Sequence, residues 1–234
     1  MLSESSPFIN AVLSFVYPIS LIVLYLGVII ALAEGLHRLG GTDAEFTRKI
    51  VHIGSGNVVL IAWWLQLPSW VLIGASVIAS IMALISYFLP VLPSINSVGR
   101  KSLGTFFYAL SIGVLTQWFW TTAHPQYLAI GILVMAWGDG MAAIIGQKFG
   151  QHSYQVLGVK KSWEGSLTMM GVSFFVTSVI LLWVDEPILK VAFVSLIVSM
   201  AAMGLEAFSK LGIDNLTVPL GSAVLAFYLI HGLF

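Results

Sequence analysis

"PQYLAIGILVMAWGDGMAAIIGQKFG", residues 125–150, is a helix-length apolar run with a carboxylate inside it. About 20 apolar residues suffice to cross a bilayer as a helix. Runs of that kind recur along the chain. Of its 234 residues, 59% are hydrophobic and 9% charged, where a soluble domain carries about 25% charged residues. Mean hydropathy is +0.99. The short alternating segments of a transmembrane barrel are absent. The composition therefore predicts an all-α, polytopic helical membrane bundle forming a single transmembrane domain over 1–234.

Hydropathy and breakers predict about eight spans, near 9–33, 50–66, 69–89, 103–120, 125–145, 166–184, 188–207 and 216–233. Pro68, the "PVLPS" stretch at 90–94, His124–Pro125 and Pro187 separate them. The first run has no basic stretch ahead of it, so it reads as a retained helix and not as a cleaved signal. Cysteine is absent, which removes disulfides, thiolate metal sites and a cysteine nucleophile. Net charge is zero, and nothing argues for nucleic-acid binding.

The ten basic residues partition unevenly. Arg38, Arg48, Lys49, Arg100, Lys101, Lys148, Lys160, Lys161 and Lys210 fall after odd-numbered spans; only Lys190 falls after an even one. By the positive-inside rule this places the motif loops in the cytoplasm and both termini outside. The acids follow the bases. Asp139, Glu164, Glu206 and Asp214 gather on the same rim, and orientation does not require them there.

Asp139 lies inside an apolar helix between Gly138 and Gly140. An acid at membrane depth costs at least a few kcal/mol on insertion scales and faces a bundle interior or a wet cavity. It either serves function or forms a structural pair with a neighbouring Arg or Lys. In "FTRKIVHIGSGN", residues 46–57, Arg48 and His52 are four apart and Lys49 and His52 three apart, so either pair can share a helix face. They can receive an anion, or the bases can snorkel with His52 bonded to a backbone carbonyl. In "VGRKSLGTFFY", residues 98–108, Arg100 and Lys101 precede a helix start, where free N–H groups attract anions; orientation alone also explains them. "KKSWEGS", residues 160–166, repeats that logic with Lys160, Lys161 and Glu164. Glu164 is a metal ligand or a first-turn acid, and it is one residue short of the capping-box spacing from Ser162. Asp214 and Asn215, after Glu206, are oxygen ligands or N-caps.

Hard divalent cations take oxygen ligands and share them with substrate phosphates. Phosphoryl transfer needs metal, cations and positioning. A rim of acids and bases suits a nucleoside triphosphate with Mg²⁺, and a second substrate drawn from the bilayer. No Walker or protein-kinase glycine loop is present.

Together, "FTRKIVHIGSGN", "GRKSLGTFFYALSIGVL", "WGDGMAAIIGQKFG", "KKSWEGSLTM" and "EAFSKLGIDNLTVPL" resemble the successive motifs of the polyprenol kinase family. The likeness is closest to the phytol kinases, relatives of farnesol and dolichol kinases. The resemblance implies transfer of the terminal phosphate of CTP to a membrane-dissolved isoprenoid alcohol. Phytol is the expected alcohol, with Mg²⁺ as cofactor, at the cytoplasmic face of a plasma or thylakoid membrane; in phototrophs the product feeds tocopherol synthesis. It implies catalytic roles for Asp139, Lys160, Lys161 and Glu164. Arg48, Lys49, His52, Arg100, Lys101, Lys160, Lys161 and Asn215 would contact the nucleotide, and Asp139, Glu164, Glu206 and Asp214 the metal.

The Asp139–Glu164 region also resembles the CTP-binding part of phosphatidate cytidylyltransferases, so a lipid cytidylyltransferase is the first rival. Release of CDP or of pyrophosphate separates the two. A transporter of anionic lipids or ions is the second rival. It would place polar groups near the bilayer midplane, whereas these charges gather at one rim.

Overall fold

The computed structural model describes residues 7–40, 44–88 and 103–233. Helix α1 spans Pro7–Gly40, α2 Ala44–Gly56, α3 Val58–Trp64, α4 Ser69–Phe88 and α5 Gly104–Leu115. A π-helical turn, Thr116–Trp120, prolongs α5. Then come α6, Pro125–Leu133, a second π turn, Val134–Asp139, and α7, Gly140–Phe149. A β-hairpin follows, β1 Ser153–Val156 and β2 Val159–Ser162, and three long helices end the described chain: α8 Trp163–Trp183, α9 Ile188–Ala207 and α10 Asp214–Gly232.

Six helical runs among the described residues are long and apolar enough to cross a membrane: Phe15–Arg38, Ser69–Phe88, Pro125–Phe149, Trp163–Trp183, Ile188–Ala207 and Asp214–Gly232. The protein is thus an all-α polytopic membrane protein. The other two segments read as spans from sequence take different forms. The 50–66 segment breaks at Asn57, whose N–H bonds the Gly54 carbonyl at 3.2 Å, so the Gly-Ser-Gly-Asn stretch divides it into α2 and α3. The 103–120 segment is α5 with its π turn.

The run quoted first is the axis of the bundle. Of its most apolar 18 residues, 67% are buried inside the protein, against 6% for those of Phe15–Arg38. Every residue from Tyr127 to Ala136 is buried. Helices α8 and α10 pack along this axis, and α9 closes on both of them. Gly131 permits the approach of α10, because a Cβ there would come within 2.5 Å of the Pro219 carbonyl oxygen. Pro125 opens α6 at its first turn, where a missing N–H costs nothing. The periphery is apolar in the other direction: Val23, Leu24, Trp70, Ile78, Phe175, Trp183 and Leu189 point outward, as side chains facing lipid do.

The hairpin lies between the predicted spans 125–145 and 166–184, where the sequence predicts no regular element. Its register pairs Val156 with Val159 and Ser153 with Ser162. Leu157 and Gly158 both have positive φ, 51° and 78°, the condition for a tight two-residue turn. Leucine is an uncommon choice there, which is why the signal is weak in the sequence.

Candidate active site

The π turn at Val134–Asp139 ends on the half-buried acid. Such insertions re-aim the following residues and often mark functional sites. Here Asp139 faces α2. Lys49 donates from Nζ to Asp139 Oδ2 at 2.6 Å, with side chains only 9% and 15% exposed. His52 Nε2 lies 3.9 Å from the same oxygen. Of the two pairings the spacing allowed, the structure selects Lys49 with His52. Arg48 turns away and pairs with Glu45 at 2.5 Å, three residues back on the rim. Glycine lets α2 come this close: a Cβ on Gly140 would lie 2.5 Å from Ile53, and one on Gly56 would overlap Ala136.

A second ion pair enters from the hairpin. Side chains alternate across a strand, so Lys160 and Lys161 point opposite ways: Lys160 is exposed and Lys161 half-buried. Lys161 Nζ bonds the Glu206 carboxylate and, at 3.1 Å, the Glu206 backbone carbonyl. That carbonyl lies in the last turn of α9, where a cation meets the unpaired end of the helix. Lys161 also acts electrostatically on Asp139 and Asp214, and Asp139 on Glu206 and Asp214. Asp139, Glu206 and Asp214 therefore form one field with Lys49 and Lys161.

Glu164 does not join them. Its carboxylate takes His152 Nδ1 at 2.7 Å and the His152 N–H at 3.2 Å. The contact ties the base of the hairpin to the start of α8, with His152 exposed. Nor is that helix start as open as the sequence suggests. Ser162 is its N-cap and accepts from the Gly165 N–H at 3.2 Å, and the Trp163 N–H bonds the His152 carbonyl at 3.0 Å. The reciprocal arm of a capping box is absent, as the spacing predicts.

Asn215 is turned inward on its own loop, donating to the Gly212 carbonyl and to Asp214 Oδ1, both at 3.3 Å. Asp214 opens α10 as its first residue, not as the N-cap. Arg100 and Lys101 lie outside the described residues. Among the described residues, no three His, Asp or Glu side chains converge closely enough to hold a metal by themselves. The quartet Asp139, Glu164, Glu206 and Asp214 is thus not one ready-made cage: Glu164 serves the hairpin, and the other three share a field.

Sequence reading missed Tyr108 and Asn57. Tyr108 packs against His52, with ring centroids 4.8 Å apart and the rings tilted by 46°. Asn57, at the α2–α3 break, accepts from Trp137 Nε1 at 2.8 Å and donates to the Tyr25 hydroxyl at 3.3 Å. This bridge fastens α1 and the break to the π turn. A tyrosine in an apolar helix was the available signal, since its hydroxyl needs a partner when buried; it was hidden in the "TFFYAL" run.

No family model and no solved structure matches the chain. Curated sequences do. The chain is 56% identical over 208 residues to a phytol kinase of Synechocystis sp., a stretch covering 89% of each protein. It is 28% identical over 224 residues to phytol kinase 1, chloroplastic, of Arabidopsis thaliana, covering 85% of this chain and 71% of the relative. To probable phytol kinase 2, chloroplastic, of Oryza sativa subsp. japonica it is 31% identical over 208 residues, covering 81% of this chain and 67% of the relative. The chain belongs to the phytol kinase family.

Proposed function

We propose that the protein phosphorylates phytol with CTP as donor, at the cytoplasmic face of a plasma or thylakoid membrane. The observation that carries this reading is the buried field of Asp139, Glu206 and Asp214 around Lys49 and Lys161 at the end of the central helix. Phosphoryl transfer asks for cations to hold the phosphates, oxygen ligands for a metal, and a base beside the acceptor.

Lys49 and Lys161 are phosphate-binding point charges, held by Asp139 and Glu206 until the triphosphate competes for them. Lys160, exposed beside them, meets the outer phosphates. The donor chemistry fits Mg²⁺, which usually takes one or two carboxylates and completes its shell with water and substrate phosphate. Glu206 and Asp214 would hold it, with Asp139 in reach of the same field. Bound there, Mg²⁺ neutralises charge on the transferring phosphoryl group.

In the transfer the alcohol oxygen bonds to the terminal phosphorus. The bond from that phosphorus to its bridging oxygen breaks, and CDP leaves. The alcohol proton passes into the Asp139–His52 pair. The tail of the alcohol stays in the bilayer, which a membrane-embedded site allows.

A panel of CTP, UTP, GTP and ATP against phytol, farnesol and phosphatidate, with purified protein in lipid, tests the reading. Phytyl phosphate and CDP in equal amounts are expected. CDP-lipid with pyrophosphate would replace the kinase reading by that of a cytidylyltransferase.

A further inference from the structure

Tyr108 is 9% exposed. Its hydroxyl and His52 Nε2 are both buried, and neither has a hydrogen-bond partner. Their rings are in contact, at 4.8 Å between centroids. Buried polar atoms are almost always paired, so two orphans side by side call for an explanation. The Ser55 hydroxyl donates to the His52 carbonyl at 2.9 Å and makes no hydrogen bond with the Tyr108 hydroxyl. Asp139 Oδ2 is 3.9 Å from His52 Nε2, beyond a hydrogen bond, and is taken by Lys49 at 2.6 Å. Gly56 keeps a side chain away from the Tyr108 hydroxyl: a Cβ there would stand 3.0 Å from it.

The missing partner has a definable chemistry. Of the two His52 ring nitrogens, only Nε2 is buried without a partner; in the tautomer that carries the proton on Nδ1, Nε2 offers a lone pair. Nε2 is then an acceptor, while the Tyr108 O–H is free to donate. A group that satisfies both must donate and accept at one oxygen. A phosphate or carboxylate oxygen only accepts and would leave the imidazole nitrogen orphaned. A hydroxyl does both. Ile53 and Ala136 make the neighbouring wall apolar.

We propose that His52 and Tyr108 seat the hydroxyl of the acceptor alcohol beside Asp139. Tyr108 donates to the alcohol oxygen, and the alcohol O–H donates to His52 Nε2. The seat rests on the kinase reading given above. It holds the oxygen with a lone pair free for phosphorus and its proton already directed into the His52–Asp139 pair.

The test is Tyr108→Phe, compared with wild type in lipid, with CTP and phytol varied in turn. The alcohol KM is expected to rise by about three- to tenfold, the worth of one neutral hydrogen bond. The nucleotide KM stays unchanged, and the melting temperature stays level or rises because an orphan hydroxyl is gone. Phytene, the hydrocarbon without the hydroxyl, should compete weakly against phytol in wild type and relatively better in Tyr108→Phe. If wild type makes no phytyl phosphate, the kinase reading and the seat fall together. If wild type makes it and Tyr108→Phe keeps wild-type alcohol kinetics, the seat alone is overturned.

Discussion

Two sets of ion pairs lie within a few residues of each other and behave differently. The interior pairs are Lys49–Asp139 and Lys161–Glu206, with every side chain under 20% exposed. The rim pairs are Arg48–Glu45 and His152–Glu164, whose basic members are 54% and 78% exposed. Arg48 and Lys49 are sequence neighbours, as are Lys160 and Lys161, yet each doublet is split between rim and interior. The helix pitch splits the first and the strand alternation splits the second. Orientation in the membrane counts all these bases alike. Only burial decides which of them confront the carboxylates at the end of the central helix. Rim pairs gain little in high dielectric, whereas breaking an interior pair leaves an uncompensated charge.

The contrast can be broken most severely at Asp139. Replacing it by Asn removes one member of the pair proposed to take the alcohol proton and leaves Lys49 without its carboxylate. Turnover of CTP with phytol should fall by about 10²–10⁴-fold, the usual worth of a general acid or base, measured as phytyl phosphate formed.

Lys161→Met should come next. It strands Glu206 in the interior and should cost about 3–5 kcal/mol, seen as a lower unfolding midpoint. The double variant Lys161→Met with Glu206→Leu should regain most of that midpoint and none of the activity. Recovery of both would make the pair structural.

Lys160→Met sharpens the comparison, because it differs from Lys161→Met by one position. Its effect should be confined to the nucleotide KM, about three- to tenfold, and should shrink in high salt as exposed charge contacts do. An equal loss in kcat would mean that Lys160 turns inward during the reaction.

The smallest effects belong to the rim. Arg48→Ala should change turnover by less than about threefold, as expected for an exposed pair. Glu164→Gln should do the same, with the loss expressed as easier proteolysis at the hairpin. A large fall in turnover from either would erase the distinction between the two sets.

What the sequence discloses follows the same division. The bundle and its central helix were legible because twenty apolar residues in a row have few other uses. Asp139 was legible because a carboxylate in such a run is costly. The face shared by Lys49 and His52 was available as one of two options on a helix, and packing against Gly140 and Ala136 chose it. The division between Lys160 and Lys161 was not readable. It depends on a hairpin whose turn, Leu157–Gly158, carries no strong turn signal. The choice for Glu164 between metal ligand and first-turn acid was unreadable for the same reason, since its partner His152 reaches it only once the hairpin has closed. Tyr108 escaped because chemistry in a greasy aromatic run shows only when the orphaned hydroxyl is seen next to His52.

The central claim is that the interior charges carry the chemistry and the rim charges do not. The most direct measurement is a side-by-side assay of Asp139→Asn and Glu164→Gln in the same lipid, with CTP and phytol, scored by phytyl phosphate and CDP. The account predicts near-complete loss in Asp139→Asn, measured below its lowered unfolding midpoint, and near wild-type turnover in Glu164→Gln. Turnover retained in Asp139→Asn, or lost equally in both, would contradict it.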